Sequence, residues 1–263
     1  DNADSNSNNN NNNNNDDDGM ENIPKALTYK NVLKVLSDSN SVDVAFKWFI
    51  SMVKSDSPPD LLTFSKVICL LGYAGRHQEA LDCYQTMLKM KQKPDIMIYN
   101  TIIKIYGILG ETEKALNTYY ELVNNSKRER DGGDGERKGV EGTDTLAKPD
   151  VYTYSTMIKL LSDANRVPDA VRCYNSMKEF NVIPDTVTYN TMIKLYGESG
   201  QVDQALACYK VMILPTSLGD KNGKSRCIPT TVTYNGLIKL LGLAGRIGMY
   251  MYVYLYYLYV LYL

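Results

Sequence analysis

Apolar residues along this chain recur with a helical period nested inside a much longer one. In Val151–Asp185 the fourth, seventh, eighth and eleventh places are Tyr154, Met157, Ile158 and Leu161; in Thr186–Thr230 they are Tyr189, Met192, Ile193 and Tyr196. Spacings of three and four put these residues on one face of a helix. The fifteenth place is always Gly or Asn (Asn40, Gly75, Gly110, Asn165, Gly200, Gly245), residues that accept the left-handed conformation in which helices end. A second apolar stripe follows. It has Ala at the twentieth place (Ala45, Ala80, Ala115, Ala170, Ala205) and an aromatic at the twenty-fourth (Phe49, Tyr84, Tyr119, Tyr174, Tyr209). The small Ala permits close helix contact. Pro at the thirty-fourth place (Pro59, Pro94, Pro149, Pro184, Pro229) forbids continuation. The pattern predicts a chain of helical hairpins.

The hairpins open on one phrase, Asp185-Thr-Val-Thr-Tyr-Asn-Thr-Met-Ile193. It returns from Asp150, Asp95 and Thr230, and more weakly from Asp60 and Lys25. Self-similarity at a fixed period marks a repeat array. The units are Ala26–Asp60, Leu61–Asp95, Ile96–Asp150, Val151–Asp185, Thr186–Thr230 and a partial sixth, 231–246, within an array spanning 23–246. Three units have 35 residues; the third has 55 and the fifth 45, which places inserts at about 124–147 and about 215–226. Both inserts are expected as charged or Gly-containing solvated loops joining complete hairpins. The fold class read from this is all-α, a solenoid of 35-residue helix-turn-helix repeats.

The flanks differ in kind. Residues 1–22 are an Asn/Asp-rich low-complexity tail, expected to be disordered and without the Arg-rich character of a transit peptide. Residues 247–263 are an aberrant Tyr-rich tail, with Tyr250 where Ala is due. The strict alternation over Met249–Tyr256 has strand period. An AT-rich simple repeat can encode such a tract, so it is expected to be a truncated or misread gene end. Its seven tyrosines argue against a membrane span.

Charge and cysteine content narrow the chemistry. Six acids and no Lys or Arg lie in residues 1–22, so the mildly basic remainder holds 29 basic against 24 acidic residues. That balance permits an anionic partner. Cys83, Cys173 and Cys208 share the twenty-third place, where a small buried thiol packs a core in a reducing compartment. One His and no Cys/His cluster exclude a zinc centre, and neither a Gly-rich phosphate loop nor a deaminase pattern is present. No cofactor and no catalytic residue are expected.

A second stripe lies beside the buried one, at the second, fifth and ninth places. The second place is apolar: Leu27, Leu62, Met97, Tyr152, Val187 and Val232. The fifth is small and polar in five of six units: Ser65, Asn100, Ser155, Asn190 and Asn235. The ninth is Lys34, Lys104, Lys159, Lys194 and Lys239, with Cys69 the exception. An apolar surface for a base face, a hydrogen-bonding group for its edge and a cation for phosphate are what single-strand recognition requires. The twelfth place is always Gly or Ser, which would leave a groove open. Folding alone offers another account of part of this: the Asp closing each unit caps the next helix, and the lysines line a solvated face. Asn and Ser are mediocre helix formers, so folding accounts less well for the fifth place.

A 35-residue helical hairpin whose units open Val-Thr-Tyr-Asn-Thr-Met-Ile and close Pro-Asp resembles the pentatricopeptide repeat family, in its P-type form, from Ala26 to Gly245. The resemblance implies a right-handed α-solenoid that binds single-stranded RNA, one base per repeat. It implies action in a mitochondrion or chloroplast, in transcript processing, stability or translation, with RNA-processing proteins recruited. It places base reading on the fifth and last places of a unit. Ser65 with Asp95 and Ser155 with Asp185 resemble guanine readers, Asn100 with Asp150 a uracil reader, and Asn190 with Thr230 a pyrimidine reader; Asn235 opens the partial unit. Base stacking falls to Leu62, Met97, Tyr152, Val187 and Val232, and phosphate contact to Lys104, Lys159, Lys194 and Lys239. The family's usual basic thirteenth place departs here (Asp38, Tyr73, Ile108, Asp163, Glu198, Leu243), which predicts modest affinity. Two other readings remain: a protein-binding helical scaffold, and the RNA-binding part of an RNase P-type nuclease.

Overall fold

The computed structural model describes residues 42–55, 58–131, 147–213 and 227–246, together with 248, 249, 251, 253 and 254. The chain divides into two compact units, one ending at Pro59 and one beginning at Asp60. In the first, helix α1 (Val42–Lys54) buries Ala45, Phe49 and Met52 on one face. The second is a row of hairpins. Its first helices are α2 (Leu61–Tyr73), α4 (Ile96–Ile108), α6 (Val151–Asp163), α8 (Thr186–Glu198) and α10 (Thr231–Leu243). Its second helices are α3 (His77–Lys89), α5 (Thr112–Asp131), α7 (Val167–Glu179) and α9 (Val202–Ile213). The described residues contain no strand, and the architecture is an all-α solenoid.

The first helices start on side-chain caps. Asp60, Asp95, Asp150 and Asp185 sit in extended backbone, and each Oδ1 accepts the amide three residues on, at 2.8–2.9 Å. At α10 the cap is Thr230, whose amide donates to Thr233 Oγ1 at 2.9 Å. Each first helix ends where the sequence predicts, with Gly75, Gly110, Asn165, Gly200 and Gly245 at φ between 55° and 77°. The amide beyond reaches back to close the turn, as Arg166 does to the Leu161 carbonyl at 2.8 Å. Sequence reading missed a second such turn. Lys91 and Asn181, at the thirty-first place, also have positive φ and end α3 and α7.

Successive first helices lie side by side, α2 against α4 and so on to α10, while each second helix touches only first helices. The aromatic at the twenty-fourth place meets the next unit's fourth-place Tyr edge-on: Tyr119 with Tyr154, Tyr174 with Tyr189 and Tyr209 with Tyr234, at 5.9–6.3 Å. The small twelfth place serves close helix packing, and at Gly72 it also borders an open cleft. A Cβ on Gly107 would stand 2.6 Å from Leu160 Cδ1, one on Gly72 2.9 Å from Thr101, and one on Gly197 3.2 Å from Leu240. Gly is there because the neighbouring helix is.

Two boundaries differ from the sequence reading. The loop expected from Asn124 begins later, because α5 runs on to Asp131. Ser126 holds the extra turns: its buried Oγ bonds the carbonyls of Leu122 and Ala147, both at 2.9 Å. Lys127 also pairs with Glu179 at 3.0 Å. In the Tyr-rich tail the described residues are helical, not extended, and Val253 is buried at the twenty-third place. Position in the hairpin overrides the period-2 alternation there. The disorder expected of residues 1–22, the first helix of the first unit with Leu27 and Lys34, and the insert at 215–226 lie outside the described residues.

Cys83 and Cys173 are buried, and burial pushes both thiols up from 9.0 to about 12. The folded state therefore keeps protons that the unfolded chain releases. This contribution to stability is complete below about pH 9 and is lost as pH rises towards 12. Urea midpoints measured between pH 8 and 11 should fall, less steeply for the Cys83→Ala, Cys173→Ala double variant; parallel curves would contradict the assignment. Glycine positions give a second expectation. Gly110 has φ 73° and Gly236 lies inside α10, and a methyl at either meets nothing within 4 Å. Gly110→Ala should cost about 1 kcal/mol through strain, and Gly236→Ala should gain about 0.5–1 kcal/mol through helix propensity. Denaturant midpoints moving in the same direction would overturn this.

Candidate functional site

The row of first helices presents one continuous face, and the second, fifth and ninth places lie on it. At the second place Leu62, Met97, Tyr152, Val187 and Val232 are 49–67% exposed. They sit in the first turn of their helices, clear of the side-by-side contact. Five large apolar side chains half-exposed at one repeat position form a recurring apolar row along the face.

The fifth place lies deeper. Ser65 and Asn100 are buried, Ser155 and Asn190 half-buried, and Asn235 exposed. In the third repeat the fifth and last places meet: Asn100 Nδ2 donates to Asp150 Oδ1 at 3.4 Å. No hydrogen bond joins Ser65 to Asp95 or Ser155 to Asp185; Ser155 instead donates to the Tyr152 carbonyl at 3.2 Å. Asp150 and Thr230 are exposed, and Asp95 and Asp185 half-buried. Capping occupies Oδ1 of each Asp and leaves Oδ2 of Asp95, Asp150 and Asp185 without a partner among the described residues. One carboxylate therefore caps a helix and still offers an acceptor to the face.

At the ninth place Lys104, Lys159, Lys194 and Lys239 are exposed, but not equally free. Lys104 Nζ lies 5.4 Å over the ring of Tyr73, and Lys194 stands 4.0 Å from Glu198. Lys159 and Lys239 have no partner among the described residues. Cys69, the exception at this place, is half-buried with its sulfur 3.2 Å from Thr101 Oγ1, and burial pushes its thiol up.

These places converge on one cleft of about 230 Å³. Its walls include Met97, Asn100, Lys104 and Asp150 of the third repeat, Cys69 and Tyr73 of the second, and Tyr152 of the fourth. An apolar side chain from each of two successive repeats, Met97 and Tyr152, thus borders the space onto which the Asn100–Asp150 pair faces. The volume suits one planar ring better than a drug-sized ligand.

The third-place threonines were missed by the sequence reading. Thr153 Oγ1 donates to Asn100 Oδ1 at 2.7 Å, and Thr233 Oγ1 to Asn190 Oδ1 at 2.6 Å, each reaching back into the preceding repeat. The signal was present in the Val-Thr-Tyr-Asn phrase, but the partner is 53 or 43 residues away. Among the described residues there is no His/Cys/Asp/Glu group suited to a metal ion, and no helix long and apolar enough to cross a membrane.

Comparisons with known proteins agree on one family. The pentatricopeptide repeat domain model matches residues 47–108, PPR repeat models match 97–126 and 180–213, and the PPR repeat family model matches 149–194. Together they span more than half of the chain. No curated protein sequence matches it. Among solved structures, maize pentatricopeptide repeat protein PPR10 in complex with an 18-nt psaJ RNA element is 18% identical, with a TM-score of 0.53. That match covers 88% of this chain and 30% of PPR10. The PPR domain of Arabidopsis thaliana protein-only RNase P 1, in complex with tRNA, is 11% identical with a TM-score of 0.58, covering 75% of this chain and 94% of that domain. Nuclear proteinaceous RNase P 2 from A. thaliana is 10% identical, with a TM-score of 0.59, over 73% and 39%. The chain thus spans about a third of the length of the PPR10 chains it matches. With repeats of this length, hairpins of this geometry and four family models in register along it, the chain is a member of the pentatricopeptide repeat family.

Proposed function

We propose that this protein binds single-stranded RNA sequence-selectively along the face of its first helices, one base per repeat. The observation that carries the reading is the cleft in the third repeat. Met97 and Tyr152 border it, a carboxamide and a carboxylate meet at its edge, and Lys104 stands beside it. A base needs an apolar surface for its faces and directed polar groups for its edge. The structures of PPR10 with an RNA element and of the RNase P 1 PPR domain with tRNA support the same partner class.

Read this way, the second to fifth repeats select G-U-G-pyrimidine from the 5′ end. Guanine offers N1–H and N2–H donors, which a serine hydroxyl and the free Asp oxygen accept; uracil offers a carbonyl to the Asn N–H and its N3–H to a carboxylate. The protein acts as a binding module without a catalytic residue of its own. It serves organellar transcripts in a mitochondrion or chloroplast, in their processing, stability or translation, with processing proteins recruited to the bound RNA.

Two measurements test this on the full chain. Ser155→Asn, with Asp185 kept, should move the preferred third base from G to U. The change in the ratio of affinities for G-U-G-U and G-U-U-U should exceed about tenfold, since a base contact is worth about 1–3 kcal/mol. Equal treatment of the two oligonucleotides by both proteins would favour the protein-binding scaffold. The lysines should act through charge. Lys159→Gln should weaken binding to every oligonucleotide alike and lower the log–log salt slope by about 0.7. Lys194→Gln should do less, because Glu198 already faces that ammonium. A slope unchanged in both variants would return the lysines to a solvated face.

A further inference from the structure

Among the described residues the third-place threonine enters the structure twice in the same way, each time where the preceding repeat carries Asn at its fifth place. Thr153 Oγ1 is 2.7 Å from Asn100 Oδ1, and Thr233 Oγ1 is 2.6 Å from Asn190 Oδ1. Both threonines are buried, at 0% and 1% exposure. Where the fifth place is Ser, the bond is absent: Thr188 is bonded only to its own cap, Asp185, and its hydroxyl makes no bond to Ser155. Behind Ser65 the third place is Ile98, which has no hydroxyl at all.

The chemistry of the Asn100 site fixes which way the carboxamide points. Asp150 Oδ1 is a carboxylate oxygen and accepts only, so the amide must turn Nδ2 towards it, at 3.4 Å. Oδ1 then faces Thr153, whose hydroxyl lies close enough to donate to it or to Asp150, at 2.7 and 2.8 Å. With its carbonyl held from behind and Nδ2 turned to Asp150, the side chain is fixed in one orientation, with its second N–H left to donate. A free carboxamide would rotate about its last torsion and present either end, as donor to one base and acceptor to another.

We infer that the third-place threonine of each repeat is a positioning residue for the base-reading asparagine of the repeat before it, holding that side chain as an N–H donor towards a base carbonyl. The inference rests on the base-reading function proposed above. It makes the specificity of a repeat depend on three residues, one of them across the repeat boundary. It also makes the transfer of a uracil preference from one repeat to another depend on what stands at the next third place.

The second repeat is the natural test, because its follower carries Ile98. Ser65→Asn should shift the first base of the site from G towards U only weakly. The double variant Ser65→Asn, Ile98→Thr should shift it about tenfold further, matching Ser155→Asn, for which Thr188 is already in place. In the third repeat, Thr153→Val should lower discrimination between U and the other bases at the second position about tenfold, and Thr153→Ser should restore it. Thr188→Val loses the same bond to its capping Asp but not one to Asn, and should leave discrimination at the third base intact. Oligonucleotides differing at one base, in a common flank, give these ratios with the full chain. If the wild type discriminates while Ser65→Asn switches equally well with and without Ile98→Thr, and Thr153→Val reads as before, the threonine is not a positioning residue. If the wild type itself treats all bases alike, base reading fails. The RNA-free protein still decides the clamp: Nδ2 protons of Asn100 should exchange with water faster in Thr153→Val than in wild type, and equal rates would overturn it.

Discussion

Successive first helices approach so closely that a methyl group at Gly107 would collide with Leu160 of the next repeat, and one at Gly72 with Thr101. Most of the molecule's useful geometry follows from that contact. Because the helices run side by side in direct contact, equivalent residues of neighbouring repeats recur along one face. Because the contact occupies the tenth and twelfth places, the second and ninth places are left facing outward, with the fifth place deeper between them. The close approach also lets a threonine hydroxyl at the start of one helix reach an amide in the middle of the previous one. A bulkier twelfth place would push the helices apart and break that reach before it broke the helices themselves.

The same residues serve folding and the face together. Asp150 starts α6 through Oδ1 and also lines the cleft. Thr153 accepts the Asp150 amide to close the cap of its own helix and donates to Asn100 of the repeat before. This sharing explains how a 35-residue unit can carry so much: the Asp at a helix start is used by the fold through one oxygen and keeps the other, while the buried threonine joins two repeats through one. It also means that the site is not separable from the solenoid. A single hairpin would hold only one wall of the cleft, since Met97 and Tyr152 come from different repeats.

Most of the repeat logic was legible in the chain. The Gly or Asn at the fifteenth place, the Asp before each first helix and the cysteine at the twenty-third place act locally, within a few residues, through conformational preference, capping and size. All three are found where the spacing predicts. The apolar second place was legible too, because a large side chain outside the buried stripe has nowhere to go but water.

What the sequence could not decide is what depends on a neighbour. It read the small twelfth place as leaving a groove open; Gly72 does border the cleft, but at Gly107 and Gly197 the next helix fills that room. It ended α5 at Asn124, but the extra turns are held by Ser126 bonding to Ala147 and by Lys127 reaching Glu179. It read the alternation in the Tyr-rich tail as strand period, and the described residues there are helical. It saw the third-place threonines only as part of a repeated phrase, because their partners stand in the repeat before. Local preferences along a chain set where each helix starts and stops; only the packing of one helix on another determines which side chains are hidden, which are clamped and which remain free to bind.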